Sequence, residues 1–110
     1  MQDERPDAFE RLLDRLLASP EYGVHWARHW LDLVRYADTN GFERDSDKVS
    51  AWKYRDWVVQ SLNADMPYDR FAQMQLAGDI VDRGPEGAAA VGFLVAGVHN
   101  TVVGSSQRMQ

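Results

Sequence analysis

His25 and His29 stand four residues apart in a stretch that reads as helix, so both imidazoles fall on one face. Helical zinc sites use this spacing, and Asp32, three residues further on, supplies a third potential ligand. The metalloprotease form of the pattern needs Glu directly after the first histidine, and Trp26 occupies that place. The competing account has both imidazoles hydrogen-bonded at a helix–helix contact. Arg28, Asp32 and Arg35 form an i, i+4, i+7 stripe. It reads either as intrahelical ion pairing or, with Tyr36 and Asp38 at its rim, as a polar patch for an anionic or sugar-like ligand. Asp38, Asn40, Glu43, Asp45 and Asp47 put a run of oxygen donors in one loop, the chemistry of a hard cation such as calcium. The EF-hand pattern fails there, because Gly41 falls too early and Phe42 takes a ligand position. A solvated acidic loop is the plainer account. His29, Asp32 and Asp38 are candidate acid–base groups, but no nucleophile elbow, phosphate loop or dinucleotide fingerprint accompanies them.

Composition narrows the field. The chain has 110 residues, 45% hydrophobic and 26% charged, enough for one globular domain. Four Trp, four Tyr and four Phe are expected to dominate its core. The formal net charge is -5 and the arginines are interleaved with Asp and Glu, which argues against nucleic acid and against an anionic membrane surface. Arg predominates over Lys, so Arg–Asp pairs within and between helices are expected. There is no cysteine, which excludes disulfides, thiolate zinc sites, a Cys nucleophile and thioether-attached haem within these residues. Met1 to Ser19 is amphipathic and does not read as a signal peptide. The longest apolar stretch, Ala88 to Val98, is too short to span a bilayer.

The elements that must position these residues read as helices. Asp7 with Glu10 forms a capping-box pattern before Phe9, Leu12, Leu13, Leu16 and Leu17, a clean amphipathic face ending near Ala18. A second helix begins at Glu21 or Val24 and runs to Ala37, with Gly23 weakening its first turn. Its apolar face holds Trp26, Trp30, Leu33, Val34 and Ala37, widened by Ala27 and Leu31. Asn40 or Gly41 is placed to take positive φ beyond it. Ser50 caps a third helix through Leu62, with Tyr54, Val58 and Leu62 on one face, Trp57 beside them, and either Trp52 or Trp57 partly exposed. Pro67 opens a fourth helix carrying Tyr68, Phe71, Ala72, Met74 and Leu76, ended by Gly78. Asp82 to Gly87 reads as a surface turn and Ala88 to Val95 as a short buried helix. Residues 98–110 lack periodicity and read as loop or tail. The expected fold is therefore all-α: an irregular bundle of four to five short helices in a single domain, 1–110, with a charged loop around residues 38–50.

Longer strings carry a resemblance. They are Tyr22-Gly23, Trp26-Ala27-Arg28-His29-Trp30-Leu31-Asp32, Arg35-Tyr36-Ala37-Asp38 and Asn40-Gly41-Phe42-Glu43. Ala51-Trp52, Tyr54-Arg55-Asp56-Trp57-Val58, Asn63 to Phe71, Gln75 to Asp79 and Gly92-Phe93 add to them. Together they resemble the planctomycete-type cytochrome-associated domains catalogued as domain of unknown function 1549, over nearly the whole chain. The resemblance implies a large exported bacterial protein, periplasmic or extracytoplasmic, in which such a domain accompanies a haem-c-bearing segment. It also implies that these residues form the N-terminal part of the domain. The haem would be held by a Cys-x-x-Cys-His motif further along, leaving no cofactor site within these residues. The implied partner is the remainder of the parent protein, and self-association through exposed apolar surface around Ala88 to Val98 is a further expectation. By the resemblance, family members usually carry Arg where this chain has His25, whereas His29, Asp32, Arg35, Tyr36 and Asp38 match the family pattern as candidate site residues with no assigned role. The expected function is a structural or interaction module rather than an enzyme. The alternatives are a fragment of an extracellular enzyme acting on a polysaccharide-like substrate, and a calcium-stabilised interaction domain.

Overall fold

A computed structural model describes residues 5–41 and 47–98. Among them the chain forms five α-helices and no strand: α1 Ala8–Leu17, α2 Glu21–Leu33, α3 Ala51–Asn63, α4 Tyr68–Val81 and α5 Pro85–Ala90, the last running into a 3-10 helix, Val91–Val95. The all-α bundle expected from periodicity is the fold observed. The connection between α2 and α3 is pinned by an isolated antiparallel bridge between Thr39 and Asp47. Residues 99–110, most of the expected tail, lie outside the described residues.

The core is built where α2, α3 and α4 meet. Tyr54, Trp57 and Val58 from α3, Phe71 and Met74 from α4, Ala27 from α2, and Ala90 and Ala96 beyond α4 are its buried apolar residues. The rings of Tyr54 and Trp57 stack at 6.3 Å. Trp57 stacks on Phe71 at 5.2 Å, and Trp30 meets Phe71 edge-on at 5.0 Å. Offset and edge-on rings satisfy the aromatic quadrupole as well as burying area. One buried polar group sits among them. Gln75 Oε1 accepts from the Tyr54 hydroxyl at 2.6 Å and from Trp30 Nε1 at 3.1 Å. The indole also donates to the Tyr54 oxygen at 3.0 Å. Gln75 Nε2 donates to the Phe71 carbonyl one turn back, at 3.2 Å. Three helices thus meet through one closed set of hydrogen bonds, and no buried side-chain nitrogen or oxygen among the described residues lacks a partner. An orphaned member of such a set costs about 1–3 kcal/mol.

The buried stripe of α2 differs from the one its hydrophobicity suggests. Gly23 and Ala27 are its buried residues, with Trp30, Leu31 and Val34 packed beside the core. Trp26 and Leu33, expected inside, are 49% and 75% exposed. The small residues permit this rotation, because they let α2 lie close to α3. A Cβ added at Gly23 would come within 2.5 Å of Asn63 Cγ. Asn63, the last residue of α3, accepts from the Gly23 N–H at 2.8 Å and donates to the Pro20 carbonyl at 3.0 Å. It therefore satisfies an otherwise orphaned donor in the first turn of α2, which Pro20 has no side chain to cap. Gly23 is a contact point rather than a weak spot.

Helix ends supply further corrections. α2 stops at Leu33, not Ala37, because Arg35 takes a left-handed conformation (φ 55°). The N–H of Tyr36 then donates to the Leu31 carbonyl at 2.9 Å and that of Arg35 to Asp32 at 3.2 Å, the paired bonds of a Schellman end. α3 ends identically: Asp65 has φ 52°, Met66 N–H bonds Ser61 O at 3.0 Å and Asp65 N–H bonds Leu62 O at 3.2 Å. Gly41 does adopt positive φ, but six residues past the first of these ends. Neither Asp7 nor Ser50 makes a side-chain cap. Both have ψ near zero, so each extends a preceding turn instead of adopting the extended backbone that aims a capping oxygen.

Pro67 lies one residue before α4, at its cap position. Gly78 does not end α4, which continues through a non-helical Ala77 (φ -145°) to Val81. Gly78 is instead where α5 crosses: the Gly87 carbonyl oxygen would stand 2.7 Å from a Cβ there. The expected turn at Asp82 to Gly87 is shorter, because Pro85 opens α5 at a position where its missing N–H costs nothing.

The positive-φ residues give a test. A non-glycine residue in the left-handed region costs about 1 kcal/mol. Asp65→Gly should therefore raise stability by roughly that amount, read as a higher denaturant midpoint at unchanged slope. An unchanged or lower midpoint would mean the Asp65 side chain stabilises this end in some other way.

Candidate functional site

α3, α5 and the 3-10 helix flank an open groove of about 1020 Å³, at the upper end of the size range of ligand pockets. Trp52, Lys53, Tyr54 and Trp57 of α3 line it together with Glu86 of α5 and Val95 of the 3-10 helix. Trp52 is exposed and Trp57 buried, as their separate helical positions require.

The polar groups at one end of the groove are engaged within the fold. The Tyr36 hydroxyl donates to Asp38 Oδ1 at 2.7 Å. Burial, that hydrogen bond and the negative charge of Asp38 push the Tyr36 phenol up to about 12. A phenol held protonated this firmly is no base near neutral pH. Lys48 extends its ammonium to the Val95 carbonyl at 3.0 Å and to those of Ala96 and Gly97. It thereby caps the carbonyl end of the 3-10 helix, while its own N–H donates to Asp38 O at 2.7 Å. Ala37 N–H bonds Ala96 O at 2.9 Å in the same place. The segment after α2 and the segment after the 3-10 helix are thus laced together.

The residues singled out from the sequence do not converge. Tyr36 and Asp38 are joined, but His29 and Asp32 lie on the exposed side of α2. Arg35 has left the helical stripe through its positive φ, and no ion pair joins Arg28, Asp32 and Arg35 to one another. The ion pair described, Arg55 with its neighbour Asp56 at 3.3 Å, is exposed and lies within one helix, and none spans two helices among the described residues. His25 and His29 are not buried at a helix contact either. Both are exposed, their ring centroids are 5.4 Å apart, and Trp26 packs against them at 5.5 and 5.2 Å. Among the described residues no group of three or more His, Cys, Asp or Glu stands close enough to hold a metal ion. Glu43 and Asp45 of the acidic loop lie outside the described residues.

Gln75, Asn63 and Lys48 were invisible as organising residues. Gln75 lies between Met74 and Leu76 on α4 like any surface glutamine of an amphipathic helix, and only its burial marks it out. Asn63 carried a faint signal, since it follows a helix end where a carboxamide can reach a neighbouring backbone.

A family model described as "PSCyt2: Protein of unknown function (DUF1549)" matches residues 1–110. The chain belongs to this family. No curated protein and no solved structure matches it. As a DUF1549 domain it carries an assigned fold architecture here without an assigned reaction. No described helix is long and apolar enough to cross a membrane.

The raised phenols give a pH signature. Burial also lifts Tyr54 to about 12, partly offset by the Trp30 N–H. Both groups hold protons in the folded state that the unfolded chain releases around pH 10. Their stabilising contribution is therefore complete below pH 10 and is lost as pH rises toward 12. Denaturant melts between pH 8 and 11.5 should show this fall, and spectrophotometric titration of Asp38→Asn should show one phenol moving back toward pH 10. Stability flat across that interval would contradict the burial of these two hydroxyls.

Proposed function

We propose that this chain is a non-catalytic helical docking module of a larger exported bacterial protein associated with haem-c electron transfer. Its groove between α3 and α5 receives an apolar segment of the parent protein. The observation that carries this reading is the groove itself: it is large and apolar, and the polar atoms at its Tyr36–Lys48 end are already bonded inside the fold. Such a surface has apolar area to bury, with polar side chains such as Lys53, Gln60 and Glu86 also along it. The multidomain parent is what the resemblance to DUF1549 domains implies, and it is part of the proposal.

The donor set supports placing the haem elsewhere. Thioether attachment needs cysteine, and the chain has none. The enzyme alternative draws no support from the geometry, because a glycosidase site needs two facing carboxylates. Asp38 is spent on Tyr36, and Asp32 is on the exposed side of α2.

The test is co-expression of the chain with the haem-bearing segment of its parent. The two should co-purify, with haem absorbance confined to the second. Trp52→Glu, at an exposed residue lining the groove, should reduce recovery about tenfold (about 1.4 kcal/mol) while leaving the thermal midpoint unchanged. Failure of the wild-type pair to associate, or equal recovery with Trp52→Glu, would overturn the assignment of this groove.

A further inference from the structure

We infer that His25 and His29 form a two-imidazole site on the exposed face of α2 for a divalent transition-metal ion, with Cu²⁺ preferred. This rests on different residues from the groove and stands independently of it. A metal–nitrogen bond of about 2.0 Å places an ion roughly 3.2 Å from the centroid of each ligating ring. Two such rings are then about 4.5 Å apart at a right angle and about 5.2 Å apart at the tetrahedral angle. The observed separation is 5.4 Å, close to the tetrahedral value, so the two rings stand near enough to share an ion once they turn toward it.

Both side chains are exposed, and their contacts are the ring contacts with each other and with Trp26. Among the described residues neither imidazole is held by a hydrogen bond or ion pair, so only ring contacts shift when the nitrogens turn to an ion. α2 is helical through both positions, so the i, i+4 spacing is already fixed before the ion arrives. With no third protein ligand converging among the described residues, water fills the remaining positions. The affinity order of divalent ions favours Cu²⁺ over Ni²⁺ and Zn²⁺ at imidazole nitrogens, and cis ligation in its tetragonal geometry requires the two rings to close by about 0.9 Å.

Trp26 gives the site its own reporter, since its ring lies within 5.5 Å of both imidazoles. Cu²⁺ titrated into the full chain in non-coordinating buffer should quench part of the tryptophan emission, saturate at one ion per chain and raise the thermal midpoint. His25→Asn or His29→Asn should each weaken binding about tenfold or more, because the second ligation step is intramolecular in the pair. Trp26→Phe should abolish the quenching that saturates at one ion while keeping the rise in midpoint. His99→Asn should change neither. Equal quenching in wild type and His25→Asn, or loss of binding in His99→Asn, would overturn the site.

Discussion

The hydroxyl of Tyr54 stands where three helices meet, and the bundle depends on what it bonds. It gives its proton to Gln75 of α4 and receives one from Trp30 of α2, while Gln75 itself is tied to the backbone of its own helix. Apolar packing among Trp57, Phe71 and Met74 drives the helices together without choosing a single rotation for each. The hydrogen bonds make that choice. Rotating α2 by one residue, toward the face its larger side chains suggest, would carry Trp30 away from both acceptors and leave buried polar groups unpaired.

Once α2 and α3 are registered, the remaining features follow from local chemistry. Asn63 reaches the first turn of α2 because Gly23 leaves room for its carboxamide. The Schellman ends at Arg35 and Asp65 turn the chain sharply after each helix. The first of these points Tyr36 back toward the core, where its ring stacks on Tyr54 at 6.4 Å. Tyr36 then holds Asp38, the Asp38 carbonyl accepts from the N–H of Lys48, and the Lys48 ammonium holds the carbonyls beyond the 3-10 helix. Polar groups that looked like candidate site chemistry are consumed in closing the fold, which leaves the adjacent groove apolar.

Much of the architecture was legible in the sequence, because hydrophobic periodicity reports which segments are helical. Of the face expected on α3, Tyr54 and Val58 are buried with Trp57 beside them, Leu62 is only partly buried, and the buried Ser61 carries no such signal. Periodicity does not report where two helices approach most closely, and for that reason Trp26 was placed inside and Ala27 only at the margin. Nor does it reveal a polar residue buried for its partners, as Gln75 is. α1 shows the same limit from another side. Phe9, Leu12, Leu13, Leu16 and Leu17 make a clean apolar face, yet none of them is buried. The candidate site dissolved for a specific reason: the stripe of Arg28, Asp32 and Arg35 presumed a helix reaching Ala37, and the left-handed Arg35 ends it four residues earlier.

The most direct measurement is a double-mutant cycle between Tyr54→Phe and Gln75→Leu, read by denaturant unfolding. If this contact fixes the register of the helices, each single change is destabilising and the two are coupled by about 1 kcal/mol or more, since the double variant removes both halves of one interaction. Effects that add to within about 0.5 kcal/mol would show that apolar packing alone sets the register, and that the hydrogen-bonded triangle is its consequence.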